Sequence, residues 1–312
     1  MLSHMDRNAR QRDTIVRTLA FDWLERQVSI HGDVLARDLL LQGFEFEGKR
    51  VGLISPAQGI FKPRVMPRWP LTITTSPNSP YADNFADEHH LLYKYRGNNP
   101  QHPDNVGLRE AGQLRLPLLY LIGIRPSRYL AVWPVYVVKD NPGALTFTVM
   151  ADDRRSIPDQ LEEQLDSEKE DDAKELRRRY FTAAVRQRAH QRTFRELVLD
   201  AYQNQCAMCR LRHRELLDAG HIIPDAEETG EPVVSNGLAL CKIHHAAFDR
   251  NIIGIRPDYR MEVREDILAE RDGPMLRYGL QALHEENIQV PSNESHRPAR
   301  EALELRYERF IS

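Results

Sequence analysis

The sequence contains few cysteines and no long hydrophobic run. Three cysteines in 312 residues are an odd number, so a disulfide framework is not expected. No stretch of 18 consecutive apolar residues occurs, and the first 20 residues are polar and contain arginine rather than an apolar signal core. We therefore expect no membrane span and no secretory signal, and we expect the protein to be cytoplasmic.

Net charge is also small, but its distribution is uneven. Lysine and arginine number 43 against 46 acidic residues, which leaves −3, and 41% of the residues are hydrophobic, as in globular proteins. Eight carboxylates lie between Glu162 and Glu175, and seven arginines lie between Arg177 and Arg195 with no acidic residue among them. Because no glycine or proline interrupts this stretch, it predicts a long helix. The helix is either a solvated connection or lies along a DNA backbone, and both can hold at once.

The regions before and after this predicted helix differ in their pattern of apolar residues. Two helices are predicted near the start, over Thr14–His31 and Val34–Gln42, because apolar residues recur there at helical spacing. Short apolar runs then alternate with turn residues, which favours a β-rich barrel or sandwich. These runs begin at Phe44, Val51, Leu71, Leu118, Trp133 and Leu145. The predicted fold class is α+β, with a β-rich domain in residues 1–155, a charged helical linker in 156–192 and a second domain with a helical tail in 193–312.

All three cysteines lie in one short segment that also contains histidines. Cys206 and Cys209 form a CxxC pair, and Cys241 and His244 form a CxxH pair after 31 intervening residues. Two such pairs supply three thiolates and one imidazole, which is a donor set for tetrahedral Zn²⁺. Four protein ligands leave no open position, so we predict a structural zinc ion that stabilises a small domain.

Between and beside these pairs lie residues that carry chemistry. His221 begins a His-Ile-Ile-Pro run, Asn236 precedes Gly-Leu-Ala-Leu, and His245 follows the last zinc ligand. Over about 45 residues this order resembles the HNH nuclease family, whose ββα-metal fold is a hairpin followed by a helix. The resemblance implies a phosphodiester hydrolase.

The resemblance also assigns roles to these three residues. His221 would be the general base, because a neutral imidazole can deprotonate water near neutral pH. His245 would bind one catalytic divalent ion, Mg²⁺ or Mn²⁺, which stabilises charge on the scissile phosphate. Asn236 would hold the loop that orients His221.

One position departs from a common form of the family. Many members have aspartate or histidine directly before the general base as a second metal ligand, whereas this sequence has Gly220. Asp218 is the first candidate for the replacement. Asp249, one helical turn after His245, is the second.

A second resemblance concerns the N-terminal region. Tyr81, Asp83, Asn84 and Tyr95 lie in segments similar to the SRA fold, a PUA-like group of modified-cytosine readers. The resemblance implies that Tyr81 and Tyr95 stack on a base flipped out of the duplex, while Asp83 or Asn84 reads its edge. Alternatively, Tyr93 and Tyr95 are ordinary strand aromatics packed in the core.

Together the two resemblances indicate a bacterial modification-dependent restriction endonuclease, of a type IV-like class. Its partner would be double-stranded DNA with 5-methylcytosine or 5-hydroxymethylcytosine, and two active sites for a double-strand break imply a homodimer. One alternative is a zinc-stabilised DNA-binding module that does not cut. Another is an HNH nuclease that reads a different mark, such as a glucosylated base or a phosphorothioate backbone.

Overall fold

The computed structural model describes residues 4–76, 85–87, 90–152, 170–225, 227, 229–271 and 273–312. The chain forms two compact units, Met1–Ala189 and His190–Ser312. Both contain helices and strands, so the predicted α+β class is confirmed at that level. Part of the predicted linker, residues 156–169, lies outside the described residues. No described helix is long and apolar enough to cross a membrane.

The strands of the first unit build a curled, mixed sheet. They are β1 (Val34–Ala36), β2 (Phe44–Phe46), β3 (Lys49–Val51), β4 (Ile60–Phe61), β5 (Thr72–Thr74), β6 (Phe85–Asp87), β7 (His90–Lys94), β8 (Leu118–Arg125), β9 (Arg128–Asn141) and β10 (Thr146–Ala151). Strands β2 and β3 form a separate hairpin, and the others follow the order β4-β5-β8-β9-β10-β7-β6 with β1 also paired to β9. This sheet has the shape of a half-barrel. The finer prediction of an SRA or PUA-like barrel stays a prediction.

Helices cover the two faces of this sheet. They are α1 (His4–His31), α2 (Arg37–Gln42) and α3 (Pro103–Gln113). The prediction of a helix from Val34 was wrong for its first three residues, because Val34 to Ala36 pair with β9 as strand β1. Pairing with a long neighbouring strand outweighs the local helical spacing there.

Strand β8 shows why the sheet needs cover on both sides. Its residues alternate between two cores, since successive side chains of a strand point to opposite faces. Tyr120 and Ile122 pack in one core with residues of α3, whereas Leu119 and Leu121 pack in the other with residues of α1. A strand buried on both faces is continuously apolar, which is how its sequence reads.

The second unit is built around a hairpin and a helix. After the end of α4 (Glu170–Ala201) it contains β11 (Leu217–His221), β12 (Gly237–Cys241), α5 (Lys242–Asp249), β13 (Ile253–Ile255), β14 (Met261–Val263), α6 (Glu265–Ala269), α7 (Pro274–Gly279) and α8 (Arg300–Ile311). Strands β11 and β12 are antiparallel, with Leu217 opposite Cys241 and His221 opposite Gly237. Helix α5 follows β12 directly. This ββα arrangement places the end of β11 beside α5.

Candidate metal centre and nuclease site

The three cysteines and His244 form one cluster. Their ligand atoms all lie within 4.8 Å of one another. His244 Nδ1 is 3.4 Å from Cys206 Sγ and 3.2 Å from Cys241 Sγ, and the Sγ atoms of Cys209 and Cys241 are 4.0 Å apart. A tetrahedral zinc site with Zn–S bonds of about 2.3 Å has edges of about 3.8 Å between sulfurs. The cluster therefore has the donors and the size to bind a structural zinc ion.

Backbone elements and a carbonyl group orient this cluster. Cys241 ends β12 and caps α5, so His244 lies in the first turn of that helix. His244 Nε2 lies 2.7 Å from the Gly279 carbonyl oxygen. Because a carbonyl only accepts, Nε2 carries the proton and Nδ1 presents its lone pair to the cysteines. Histidine ligands of metals are commonly fixed in this way.

A cavity of about 520 Å³ opens where β11 ends. It is lined by His221, Ile222, Pro224, Asp225, His245, Asp249, Asn251, Arg306 and Arg309. Two of the three residues assigned to catalysis from the sequence thus share one cavity.

His221 is held with its ring partly enclosed. The ring stacks on Phe194 with centroids 4.0 Å apart and an interplanar angle of 11°. Its Nε2 atom is buried and has no hydrogen-bond partner among the described residues. Burial lowers the pKa of His221, and nearby His245 lowers it further, although Asp225 and Asp249 oppose this. The fold therefore favours a neutral imidazole at this position.

Asn236 ties together the segment that follows His221. Its side chain is 5% exposed. Its amide oxygen accepts a hydrogen bond from the Ile223 N–H at 2.9 Å, and its Nδ2 donates to the carbonyls of Ile223 and Glu231 at 3.0 Å each. All three bonds go to backbone groups, so this buried amide fixes the path of the chain on both sides of the loop.

His245 lies between two carboxylates, one on each side of its ring. Its Nε2 is 3.5 Å from Asp249 Oδ2, and its Nδ1 is 4.0 Å from Asp218 Oδ2. Asp249 lines the cavity together with His221, and Asp218 is not among the lining residues. The two candidates for a second metal ligand thus face opposite ring nitrogens.

Two cationic side chains contact the carboxylate of Asp218. Lys242 Nζ is 2.7 Å from its Oδ2, and Arg195 Nε is 3.4 Å from its Oδ1. Burial alone would raise the pKa of Asp218, but the hydrogen bond and charge of Lys242, with the charge of Arg195, lower it below its ordinary value. This carboxylate is therefore ionised and already neutralised by two cations.

Gly220 allows the His245 ring to lie against the strand. A Cβ atom added at Gly220 would lie 3.0 Å from Cδ2 and 3.2 Å from Nε2 of His245. Both contacts are tighter than ordinary van der Waals packing, so a side chain at this position would require the ring to shift.

The sequence motifs did not indicate Arg306 and Arg309. Both lie on α8, more than 50 residues beyond Asp249, and reach the cavity because that helix packs near β13. Arginines at this spacing on a terminal helix look the same whether they are surface residues or site residues. Only the tertiary structure distinguishes the two cases.

Three residues assigned to the base pocket, Tyr81, Asp83 and Asn84, lie outside the described residues. Tyr95 is 7% exposed, and its ring centroid is 4.5 Å from that of Phe147. Its hydroxyl donates to Asp140 and accepts a hydrogen bond from Arg109 Nη2 at 3.2 Å. Its role as a base-stacking residue stays a prediction.

Comparison with known proteins bears on the second unit. Residues 206–256 match a family model described as HNH endonuclease. A comparison with curated proteins found no match.

Two solved structures are similar at 15% sequence identity. One, described as the modification dependent TagI restriction endonuclease, has a TM-score of 0.32, and the match covers 78% of this chain and 82% of that chain. The other, described as the type IV phosphorothioation-dependent restriction endonuclease ScoMcrA, has a TM-score of 0.25, with 68% and 53% covered. Neither TM-score is high enough to show a common fold. The family match in residues 206–256 shows that the chain carries an HNH endonuclease domain and confirms the prediction of a nuclease.

Proposed function

We propose that the protein is a modification-dependent DNA endonuclease of the type IV-like class. Its first unit would read a modified cytosine, 5-methylcytosine or 5-hydroxymethylcytosine, in double-stranded DNA. Its HNH domain would hydrolyse phosphodiester bonds nearby. Such an enzyme would act in the bacterial cytoplasm, where incoming DNA is met.

One observation carries the cleavage step of this proposal. His221, with a pKa lowered by burial, lines the same cavity as His245 and Asp249. A neutral base beside a pair of oxygen and nitrogen donors is the combination that hydrolysis of a phosphodiester requires. A domain retained only for DNA binding has no need of it.

The geometry suggests which nitrogen of His221 acts. Nε2 is enclosed, so we assign Nδ1 as the nitrogen that acts on water in the cavity. Nδ1 would take a proton from the attacking water as the new P–O bond forms, and the leaving oxygen of the DNA would depart from phosphorus. Asn236 holds the segment after His221 and so keeps the ring in place.

The donors of the cavity also fit a divalent cation. His245 Nε2 and Asp249 Oδ2 are 3.5 Å apart, close to the separation of about 3 Å between neighbouring ligands in an octahedral Mg²⁺ shell. A bound Mg²⁺ or Mn²⁺ would stabilise the charge that develops on the phosphate and the leaving oxygen. We assign Asp249, rather than Asp218, as the carboxylate ligand.

Asp218 would then orient His245. Its carboxylate faces Nδ1 at 4.0 Å and favours a proton there, which leaves the Nε2 lone pair toward the cavity. Lys242 and Arg195 hold the carboxylate in this position.

Matched DNA substrates test this function. Duplexes of one sequence with cytosine, 5-methylcytosine or 5-hydroxymethylcytosine are incubated with the protein and Mg²⁺ or Mn²⁺, beside His221→Ala and a control, His213→Ala. His213 is exposed and lies outside the cavity. We expect cleavage of modified DNA only, its loss in His221→Ala by about 10²–10⁴-fold, and no change in His213→Ala.

Each deviation from this pattern has a distinct meaning. Equal cleavage of all three duplexes would remove the reader function and leave the nuclease. Binding of modified DNA without cleavage by the wild-type protein would favour the non-cleaving module. Cleavage restricted to a glucosylated or phosphorothioate substrate would replace the modified cytosine with another mark.

A further inference from the structure

The last helix brings two arginine side chains to the nuclease cavity. Arg306 and Arg309 are three positions apart on α8, so they project from neighbouring points of one face. Both line the cavity with His221, His245 and Asp249. Neither lies in residues 206–256, where the HNH family model matches.

Arg306 is fixed rather than free to move. Its Nη1 donates to Asn251 Oδ1, and its Nη2 donates to the Phe248 carbonyl at 2.6 Å. The guanidinium carbon lies 4.7 Å from the centroid of the Phe248 ring. These two bonds use two of the five N–H donors of an arginine, so donors remain for a ligand.

The partly buried position of Arg306 also strengthens its electrostatic attraction to a bound anion. The side chain is half-buried, and burial lowers its pKa while Asp249 opposes this effect. An arginine stays protonated at neutral pH even so. A fixed cation in a partly dry site stabilises developing negative charge more than a mobile, hydrated cation does.

Arg309 is held differently, by an acidic residue. Its Nη1 and Nη2 each donate to one carboxylate oxygen of Glu227 at 2.7 Å. The side chains of Arg309 and Glu227 are 44% and 38% exposed, and ion pairs at the protein surface contribute little to stability. A phosphate accepts the same paired hydrogen bonds from a guanidinium as a carboxylate does. DNA can therefore displace Glu227 at small cost.

We infer that Arg306 binds the scissile phosphate, that Arg309 binds a neighbouring phosphate, and that Glu227 occupies the place of that neighbouring phosphate in the free protein. The inference rests on the proposed nuclease function of the cavity. It extends the site beyond the HNH motif to the C-terminal helix, and it makes Glu227 an internal competitor of DNA.

DNA binding is measured first, in a variant that does not cleave DNA. A short fluorescein-labelled duplex, modified or unmodified, is titrated in a salt series with full-length protein carrying His221→Ala, and fluorescence anisotropy reports binding. Each lost phosphate contact lowers the slope of log affinity against log salt by about one. We expect that reduction for added Arg306→Ala or Arg309→Ala. Arg300→Ala is the matched control, since Arg300 begins the same helix and lies over Tyr259.

Glu227→Gln is the variant specific to the competitor role. We expect it to tighten DNA binding, because Arg309 no longer has an ionised partner to leave. In the Arg309→Ala background the same substitution should have no effect. Unchanged affinity for Glu227→Gln alone would overturn the competitor role.

The kinetics of cleavage then distinguish the roles of Arg306 and Arg309. With otherwise wild-type protein and Mg²⁺, Arg306→Ala should lower kcat by about 10²–10³-fold, the effect of removing one donor to a developing oxyanion. Arg306→Lys should restore part of it, because the charge returns without the paired donors. Arg309→Ala should raise KM with a smaller change in kcat.

The outcomes distinguish this inference from the function on which it rests. A wild-type protein that neither binds nor cuts any duplex refutes the proposed function itself. Cleavage by the wild type, together with unchanged kcat and salt slope in Arg306→Lys and Arg306→Ala proteins that melt at the wild-type temperature, refutes the inference alone. If Arg306→Ala does not fold, because the Phe248 carbonyl loses its partner, Arg306→Lys decides between the two results.

Discussion

At the scale of single residues, burial decides which form of His221 the folded protein holds. The stacked Phe194 ring excludes water from one face of the imidazole, and this desolvation disfavours the charged form. The same enclosure leaves Nε2 without a hydrogen-bond partner in the described part of the chain, which costs free energy in a buried site. The fold is thus less stable locally at the position where the proposed reaction needs a neutral base.

The pH dependence of cleavage follows from this environment. Because the pKa of His221 is lowered from the ordinary value of 6.5, the imidazole stays neutral, and active as a base, to a lower pH than usual. We expect kcat/KM to fall on acidification with a midpoint below 6.5. Phe194→Ala should move the midpoint upward by exposing the ring. The pH profile of the rate checks both, and a midpoint unaffected by Phe194→Ala would contradict the role of burial.

Metal binding separates the two carboxylates beside His245. We expect Asp249→Asn to weaken Mn²⁺ binding by about 10-fold or more, and Asp218→Asn, which removes only an orienting carboxylate, to weaken it less. Electron paramagnetic resonance of free Mn²⁺ during titration measures binding without DNA. A larger loss in Asp218→Asn would restore Asp218 as the first candidate.

Whether a residue of the site could be predicted from the sequence depends on how far along the chain it lies from the other site residues. The Cys and His pairs, His221, Asn236 and His245 lie close together in sequence, so their spacing could predict a metal cluster and an HNH site. Gly220 marked the departure from the family pattern, and the spacing placed Asp249 one helical turn after His245, but the preference for Asp249 over Asp218 required the side-chain geometry. Arg306 and Arg309 reach the cavity through tertiary packing alone, which no local pattern records.

At the scale of elements, the cluster of three cysteines and His244 lies where several elements of the second unit meet. Cys206 and Cys209 follow α4, whereas Cys241 and His244 join β12 to α5. A bound zinc ion would therefore link α4, β12 and α5. Binding free energy at such a site is folding free energy.

Loss of one zinc ligand should therefore unfold the second unit selectively. Cys209 is exposed, so Cys209→Ser changes packing little while it removes a thiolate ligand. We expect loss of bound zinc and melting of the nuclease unit at lower temperature, whereas Cys209→His should retain part of the zinc. Mass-spectrometric metal analysis and circular dichroism melting measure these effects. Normal stability of a zinc-free variant would show that the cluster is not structural.

The loop between β11 and β12 depends on one buried amide. Asn236→Ala leaves the Ile223 N–H and two carbonyls without their partners, and buried unsatisfied groups cost about 1–3 kcal/mol. We expect a loss of stability of about that size, measured by urea unfolding, together with slower cleavage. Ser235→Ala, at the neighbouring position, is the control. Slower cleavage without any loss of stability would point to a direct chemical role for Asn236.

At the scale of the whole molecule, the sequence predicted the fold class and the order of the regions along the chain. It predicted less well whether the sheet of the first unit closes into a barrel. The apolar run in residues 118–122 falls within β8, because a strand buried on both faces is continuously apolar. The run that begins at Leu145 continues into β10, which begins one residue later. The strand at residues 34–36 was missed, since its pairing with β9 is set by a partner nearly a hundred residues away. Tertiary pairing outweighs local propensity in such short elements.

One HNH site cuts one strand at a time, so we propose that two copies of this chain act together on the duplex to make a double-strand break. We expect wild-type protein to give linear product from modified plasmid DNA. Addition of excess His221→Ala protein should convert the product to nicked circles, because mixed pairs hold one working site. Agarose gel analysis distinguishes the two forms, and excess His213→Ala protein is the control that should leave linear product. Linear product that persists under a large excess of His221→Ala protein would mean that a single chain cuts both strands in succession, and the homodimer would no longer be needed.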